Sequence, residues 1–513
     1  MASIDEKHDE KAGASAFEAD EAYVFLSTHP NAEEILAEGH AILNDPKSYA
    51  RLLRKIDFTI CPLLACVYFL QFLDKTTLSY TAIMGLRTDT HLKGQDYSNL
   101  SMLFYIGFLA TEFPTQYLAQ RISKYSFYLS INIMLWGAIL MCHAACTNFA
   151  GLAICRTLLG VFEAPVAPIL VLIISMWYRK IEQGRRISCF YVMNSLTQII
   201  GGAIAYAASF ATGHFASWRI FFLVIGALTI VIGAVVGLLL PDSPVKAKRF
   251  SDAEKVAALL RTRDNQSGTQ NQTLKKAQVL ETLKDVRVWL VALCTMLSSI
   301  PNGGISNFSS ILLTTFGYTP RFSLIMSMPA GAVGVVTVLI CGWLSDRFRD
   351  RTSIMLVCIT PTILAAALMI GFDPKGKPHN RAGLLGASFL TGTFGAAFML
   401  LLAYNASNIS GHTKKVTTNA LTMVAFAVGN ILGTQTFQAS QAPGYVGGKA
   451  SIIACLTLLI PVVFVLRYCN HRLNVRNKKI LAEMSDEERE MKKEEWAWRD
   501  DSDKNNPFFV YTR

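Results

Sequence analysis

Charge is scarce in this chain. Only 17% of its 513 residues are Asp, Glu, Lys or Arg, against 52% hydrophobic, and the apolar runs are too many and too long for one soluble core. Cysteine lacks any pattern: the 11 cysteines show neither regular pairing nor metal-ligand spacing, so no disulfide framework and no metal site is expected. Cys469, among basic residues, is either a palmitoylation candidate or a plain juxtamembrane thiol. The stretch from Met1 to Ala50 has no cationic segment leading into an apolar core, so no cleaved signal is expected and the first apolar run directs insertion. The polar stretches hold no nucleophile, metal or cofactor motif, so neither an enzyme nor a cofactor is expected.

What remains is a polytopic membrane protein. Windows of roughly 19 residues, the length that suits a bilayer, place spans at about 58–80, 100–118, 127–146, 149–177, 187–210 and 218–240, and again at 288–316, 322–344, 354–372, 384–407, 420–437 and 446–468. That gives an all-α membrane protein of twelve transmembrane helices in two six-helix bundles, 57–240 and 287–469. An N-terminal tail (1–56), a linker (241–286) and a C-terminal tail (470–513) are all expected in the cytosol. Residues Ala32 to Leu43 fit a short amphipathic helix or a weakly ordered tail. The net charge of +11 points to orientation and not to nucleic acid, because the basic residues flank the spans. Arg121, Lys124, Arg179, Lys180, Arg185, Arg186, Arg347, Arg349, Arg351, Lys414 and Lys415 fall in inner loops. Arg87, Lys93, Arg321, Lys375, Lys377, Arg381 and Lys449 are read as outer, so both termini face the cytosol.

Ionisable residues inside spans are costly and by default mark a transport pathway. Arg156 and Glu163, seven residues apart, share a helix face about 10 Å apart along the axis. Gly160 between them leaves a notch for a ligand or another helix, and Pro165 and Pro168 free the carbonyls of Val161 and Ala164. The alternative is a structural ion pair. Asp74 and Lys75 are sequence neighbours that point about 100° apart, so they address different partners unless both sit at the water interface. Glu112 either couples protons or caps neighbouring hydroxyls. Tyr105 shares its span. Asn194 and Gln198 lie one turn apart, able to bond a carboxylate, an amide ligand or a neighbouring helix. Pro301, followed by Asn302, Gly303 and Gly304, predicts a bend in the seventh span, and Asn430 adds an amide to the eleventh.

An ordered set of motifs then resembles the major facilitator superfamily, and within it the fungal allantoate permease branch of anion:cation symporters. The motifs are Leu53-Arg-Lys-Ile-Asp57, Phe72-Leu-Asp-Lys-Thr76, Thr111-Glu-Phe-Pro114, Arg156-Thr-Leu-Leu-Gly-Val-Phe-Glu163, Trp218-Arg-Ile-Phe-Phe222, Leu240-Pro-Asp-Ser-Pro244, His412-Thr-Lys-Lys415 and Gly429-Asn-Ile-Leu-Gly433. The resemblance implies two pseudo-symmetric bundles and proton-coupled import of a small organic anion, a vitamin-like or nitrogen-rich carboxylate. It makes Asp74 and Glu163 resemble the family's protonatable acids, with Glu112 as a further candidate. Lys75 sits where relatives set a basic residue against the substrate carboxylate, and Arg156 resembles the family's span-four arginine. Tyr105, Asn194, Gln198, Asn302 and Asn430 complete the expected substrate site. Two departures stand out: Gln120 replaces the aspartate of the superfamily loop, which the second half keeps as Asp346, and Lys75 offers a point charge where arginine is usual. Protons, a small anion and the bilayer are the expected partners, for a monomer in the plasma membrane. Export of a metabolite or drug, and nutrient sensing without transport, remain as rivals.

Overall fold

The computed structural model describes residues 32–263 and 275–485, apart from 123, 212–214, 349 and 377, together with 488, 489, 492, 502–504 and 506–512. All regular structure among the described residues is helical. A short helix, α1 (Ala32–Asn44), precedes the first bundle. That bundle consists of α2 (Pro46–Thr81), α3 (Asp96–Arg121), α4 (Tyr125–Cys142), α5 (Phe149–Glu163) continued by α6 (Val166–Trp177), α7 (Lys180–Ala208) and α8 (Ser217–Leu239). The linker holds α9 (Asp252–Arg263) and α10 (Lys276–Lys284). The second bundle consists of α11 (Val286–Thr315), α12 (Pro320–Met326) with α13 (Met328–Phe348), α14 (Arg351–Phe372), α15 (Arg381–Leu390) with α16 (Gly395–Asn408), α17 (His412–Thr436) and α18 (Val446–Ala482). Ten of these crossings are long and apolar enough to span a membrane. The other two are α3 and α7, 26 and 29 residues long, and both run along the seam between the halves, where a polar face meets protein and not lipid.

Local chemistry fixes the elements that matter. The Asp45 carboxylate caps α2 by accepting from the backbone N–H groups of Lys47 and Ser48 at 3.2 and 3.0 Å, with Pro46 at the first helical position. The fourth crossing breaks after Glu163, where Pro165 cannot continue the hydrogen-bond ladder. The Val161 carbonyl, released by that break, lies 3.5 Å from the hydroxyl of Thr111 on α3. The notch at Gly160 is filled by α3: a Cβ there would collide with the carbonyl oxygen of Phe104, just as a Cβ at Gly107 would collide with that of Thr157.

The bend expected at Pro301 is not seen as a break, since α11 continues from Val286 to Thr315 with the proline inside it. Its glycines serve close packing instead. A Cβ on Gly303 would stand 2.5 Å from the Asn430 carbonyl, and one on Gly304 would stand 2.5 Å from the Phe437 ring, so α17 lies directly on α11.

The linker marks one end of the bundle. Lys55 pairs with Glu254 of α9 at 2.5 Å, and Lys414 at the start of α17 pairs with Glu281 of α10 at 2.9 Å. The halves are joined toward the opposite end. There the Tyr97 hydroxyl donates to the Asn307 carbonyl at 2.6 Å, Ser98 donates to the Phe437 carbonyl at 3.3 Å, and Gln435 donates to Asn99 at 3.2 Å. On the other flank α7 meets α13, where a Cβ on Gly331 would lie 2.7 Å from the Ser195 carbonyl.

The C-terminal tail is more than a loose extension. Asp503 is fully buried between Arg287 and Lys414, with Lys414 at 2.9 Å, and the Tyr511 hydroxyl donates to it at 2.9 Å. Burial alone would raise the neighbouring Asp285 carboxyl, but Arg287, Lys414 and Lys504 hold it well below the usual carboxylate range. A lowered carboxyl contributes stability above its unfolded pKa and loses it only as pH falls through the folded one. The contribution of Asp285 is therefore complete at neutral pH.

The close approach of α3 to α5 gives the first prediction. Gly160→Ala inserts one carbon against an immovable backbone carbonyl and should destabilise the first bundle by about 1–3 kcal/mol, read as a lower melting temperature of the purified protein. An unchanged melting temperature would mean that α3 is free to move away.

Candidate functional site

The charged residues singled out in the sequence converge on one buried cluster inside the first bundle. Asp74 and Lys75 lie on α2, Arg156 and Glu163 on α5. Asp74 and Glu163 are fully buried and Arg156 is 3% exposed. Being neighbours on a helix, Asp74 and Lys75 turn to different partners. Asp74 Oδ2 accepts from the indole Nε1 of Trp136 on α4 at 2.9 Å, and its other oxygen has no hydrogen-bond partner. The Lys75 ammonium stands 3.3 Å from Glu163 Oε1, close enough for an ion pair though not aligned as a hydrogen bond, and rests over the rings of Phe72 and Phe104. Its side chain is the most open of the set, at 12% exposed.

Arg156 is the unusual member. Its Nε and Nη2 are buried without a hydrogen-bond partner, while it interacts electrostatically with Asp74, Glu163 and Tyr97. A guanidinium presents its donors as a planar fork suited to a carboxylate. A buried donor without an acceptor costs about 1–3 kcal/mol, and more when charged. Two donors of the cluster are thus left without an acceptor, beside unpartnered oxygens of Asp74 and Glu163.

The remaining candidates separate into groups. Asn194 and Gln198 of α7 and Asn302 of α11 line a cavity of about 90 Å³ between the halves, large enough for several waters at roughly 10–15 Å³ each. Thr76 and Tyr80 of α2 also line this cavity, and Ser195, Ser306, Thr362 and Ser388 add hydroxyls to its wall, whereas Asp74, Lys75, Arg156 and Glu163 are not among its lining residues. Asn430 lies behind Asn302, accepting from its amide at 2.9 Å and donating to the Phe426 carbonyl at 2.8 Å, so both ends of its side chain are engaged. Tyr105 is buried at the seam, its ring edge-on to Phe426 of α17 at 6.5 Å, and interacts electrostatically with Glu163. Glu112 is buried on α3 two turns beyond Tyr105, toward the linker end, outside the cluster. Glu182, at the start of α7, accepts from the Tyr49 hydroxyl at 3.0 Å and pairs with Arg261 at 3.5 Å, which ties it to the linker.

Sequence reasoning missed several members. Trp136 gave no signal, because an indole in an apolar run reads as packing. Gln71, buried with an unpartnered Oε1 one turn before Asp74, was visible as an amide within a span. Lys449 is corrected outright. Read as an outer-loop residue, it is fully buried in α18, lines the cavity, and pairs with Asp373 at 2.9 Å. Its position one turn into an apolar helix was the available clue.

Two helical bundles meeting at a seam, with a polar cavity between them and a buried charged cluster inside the first, have the arrangement of a membrane transporter. The family model for the Major Facilitator Superfamily matches residues 64–434, and the chain belongs to that superfamily. It is 37% identical to the allantoate permease of Saccharomyces cerevisiae over 94% of this chain and 90% of that one. It is also 37% identical, with the same coverage, to an uncharacterized transporter of Schizosaccharomyces pombe. Among solved structures, a bacterial homologue of the human lysosomal transporter Spinster, in an inward-facing and unoccupied conformation, matches with a TM-score of 0.59 at 16% identity. That match covers 80% of this chain and 97% of the other, and it speaks for the fold alone.

The Asp74–Trp136 bond supplies a test of the cluster's architecture. Trp136→Phe keeps the packing but leaves neither carboxylate oxygen bonded, so the protein should lose about 1–3 kcal/mol. Asp74→Asn, which needs no charge compensation, should recover part of that loss in the double variant. Additive losses in a thermal-melt cycle would show that the indole does not serve the carboxylate.

Proposed function

We propose that this protein is a proton-coupled importer of a small organic anion, a vitamin-like or nitrogen-rich carboxylate, working by alternating access. The observation that carries the reading is the buried Arg156 guanidinium with two unpartnered nitrogens, set beside a Lys75–Glu163 ion pair. Permanent partners would make such a group a brace; without them it is suited to a visiting carboxylate. The allantoate permease supports the anion class by its name and its 37% identity. The amide and hydroxyl lining of the cavity suits a nitrogen-rich body.

Proton coupling follows from what the anion does to the pair. A substrate carboxylate drawn to Arg156 and Lys75 takes the cation from Glu163. A carboxylate left alone in a water-poor interior is neutralised by binding a proton. Anion and proton thus enter together, and release of the anion returns Lys75 to Glu163 and expels the proton. Asp74, held by Trp136, shares the field and is the second candidate for the proton; Glu112, outside the cluster, is the third. With both termini in the cytosol, the linker end faces inward and the joined end faces outward, an arrangement ready to release substrate inside. The plasma membrane is the proposed location.

Glu163→Gln is the decisive variant. In reconstituted vesicles it should abolish accumulation driven by an inward pH gradient, yet retain exchange of labelled anion across the membrane, because the amide mimics the protonated carboxyl. Concentrative uptake by this variant would remove Glu163 from the coupling role and pass the test to Asp74. Orientation is checked separately: epitope tags at both ends should be reachable only after permeabilisation, and labelling of either end on intact cells would overturn the assignment of sides.

A further inference from the structure

Cysteine spacing gave no pairing, yet the fold brings two thiols together at the end of the first bundle opposite the linker. The backbone N–H and hydroxyl of Ser126 donate to Asp242 of the linker at 2.7 and 2.5 Å, so α4 begins at the linker end and its last turn lies at the joined end. From there the chain passes through a short turn, His143–Ala145, into the loop that opens α5. Cys146 of that loop and Cys155 on α5, nine residues apart in sequence, bring their sulfurs to 3.8 Å. Both are free thiols, and both are half-buried.

The local chain is shaped for this meeting. Asn148 caps α5 by accepting from the Gly151 N–H at 2.9 Å, which holds the loop against the first turn of the helix. Gly151 leaves room for the sulfur: a Cβ there would stand 3.3 Å from Cys146 Sγ, tighter than an ordinary contact. Cys146 lies between the two spans, and the hydrogen bond of Cys155 holds its thiol below the ordinary thiol range, against burial and with help from the Arg219 charge. A disulfide needs the sulfurs about 2 Å closer than 3.8 Å, a shift of side-chain size. Two thiols that merely pack together are the competing reading.

We propose that Cys146 and Cys155 are a dithiol–disulfide couple on the outer face of the protein, closed by a low-molecular-weight disulfide such as oxidised glutathione. The Cys146 thiolate attacks the small disulfide, forming a mixed disulfide and releasing one small thiolate; the Cys155 thiolate then attacks the Cys146 sulfur and releases the second. The small disulfide takes up the two electrons and, as two thiols, the two protons given up by Cys146 and Cys155. An outer face is an oxidising compartment in which such a bond persists. Closure ties the loop to the residue that precedes Arg156, so the helix carrying the guanidinium is fastened at its outer end. The outward placement rests on the orientation proposed above, with the linker end inward; the couple itself rests on the geometry of the two thiols.

Purified full-length protein incubated with oxidised glutathione, alkylated and digested, should yield peptides linked through Cys146 and Cys155 in mass spectrometry. Its melting temperature should rise on closure and fall back with a reductant, since a cross-link restricts the unfolded chain. Cys146→Ser should abolish both signals. Cys155→Ser should abolish the link and instead trap glutathione on Cys146, as the order of attack requires. Alkylation of both cysteines after the oxidant, or a link from Cys146 to Cys142 in place of Cys155, would overturn the couple and leave two packed thiols. Applied to intact cells, the membrane-impermeant oxidised glutathione should give the same linked peptides. Closure in the purified protein but not on cells would overturn the outward placement, and with it the assignment of sides, while the couple stands.

Discussion

The structure depends on how it keeps charge inside an apolar medium. A carboxylate or ammonium removed from water costs several kcal/mol even after relaxation, and here Asp74, Lys75, Arg156 and Glu163 are gathered from two helices into one place. Each uses a different means of being tolerated. Asp74 takes a neutral donor from Trp136, Lys75 takes a carboxylate and two aromatic faces, and Glu163 takes Lys75. Arg156 is only partly provided for, with two nitrogens unfilled. A cluster selected for stability alone would have been replaced by packed apolar side chains, which are often as good or better energetically. An incompletely paired set is instead what the proposed visiting carboxylate requires.

That cluster can exist only because the backbone around it is tightly fixed. Gly160 and Gly107 let α3 and α5 touch along their main chains, and the proline break after Glu163 ends the helix at the residue whose charge matters. On the other side of the seam Gly303 and Gly304 seat α17 on α11. Small residues at helix contacts are how membrane bundles pack without a hydrophobic driving force between helices.

Much of this was legible in the sequence. The apolar runs gave the helical class and the crossings. Charges within those runs gave Asp74, Lys75, Arg156 and Glu163, because an ionisable group in a span is rare enough to carry information. Less legible was anything that depends on which side of a helix meets which neighbour. Gly160 read equally as a ligand notch or a helix notch, and only packing assigns it to α3. Pro301 read as a bend, yet α11 runs unbroken through it, with α17 seated against Gly303 and Gly304. Lys449 read as a loop charge because span ends drift by a few residues, and one turn of error moves a lysine from water to the interior. Asp503 lies in a polar tail, where nothing in composition signals a carboxylate that will be buried between Arg287 and Lys414.

Two lysines within the bundles, one in each half, are held in different ways. Lys75 pairs with Glu163 at 3.3 Å without hydrogen-bond alignment, and keeps some exposure. Lys449 pairs with Asp373 at 2.9 Å, adds a backbone carbonyl, and has none. A loose pair exchanges partners at small cost, since little hydrogen-bond energy is lost when the ammonium swings away; a tight, doubly bonded pair is held as a unit. The first therefore suits an exchange of ionic partners, as the proposed coupling requires. The second suits a fixed joint between α14 and α18.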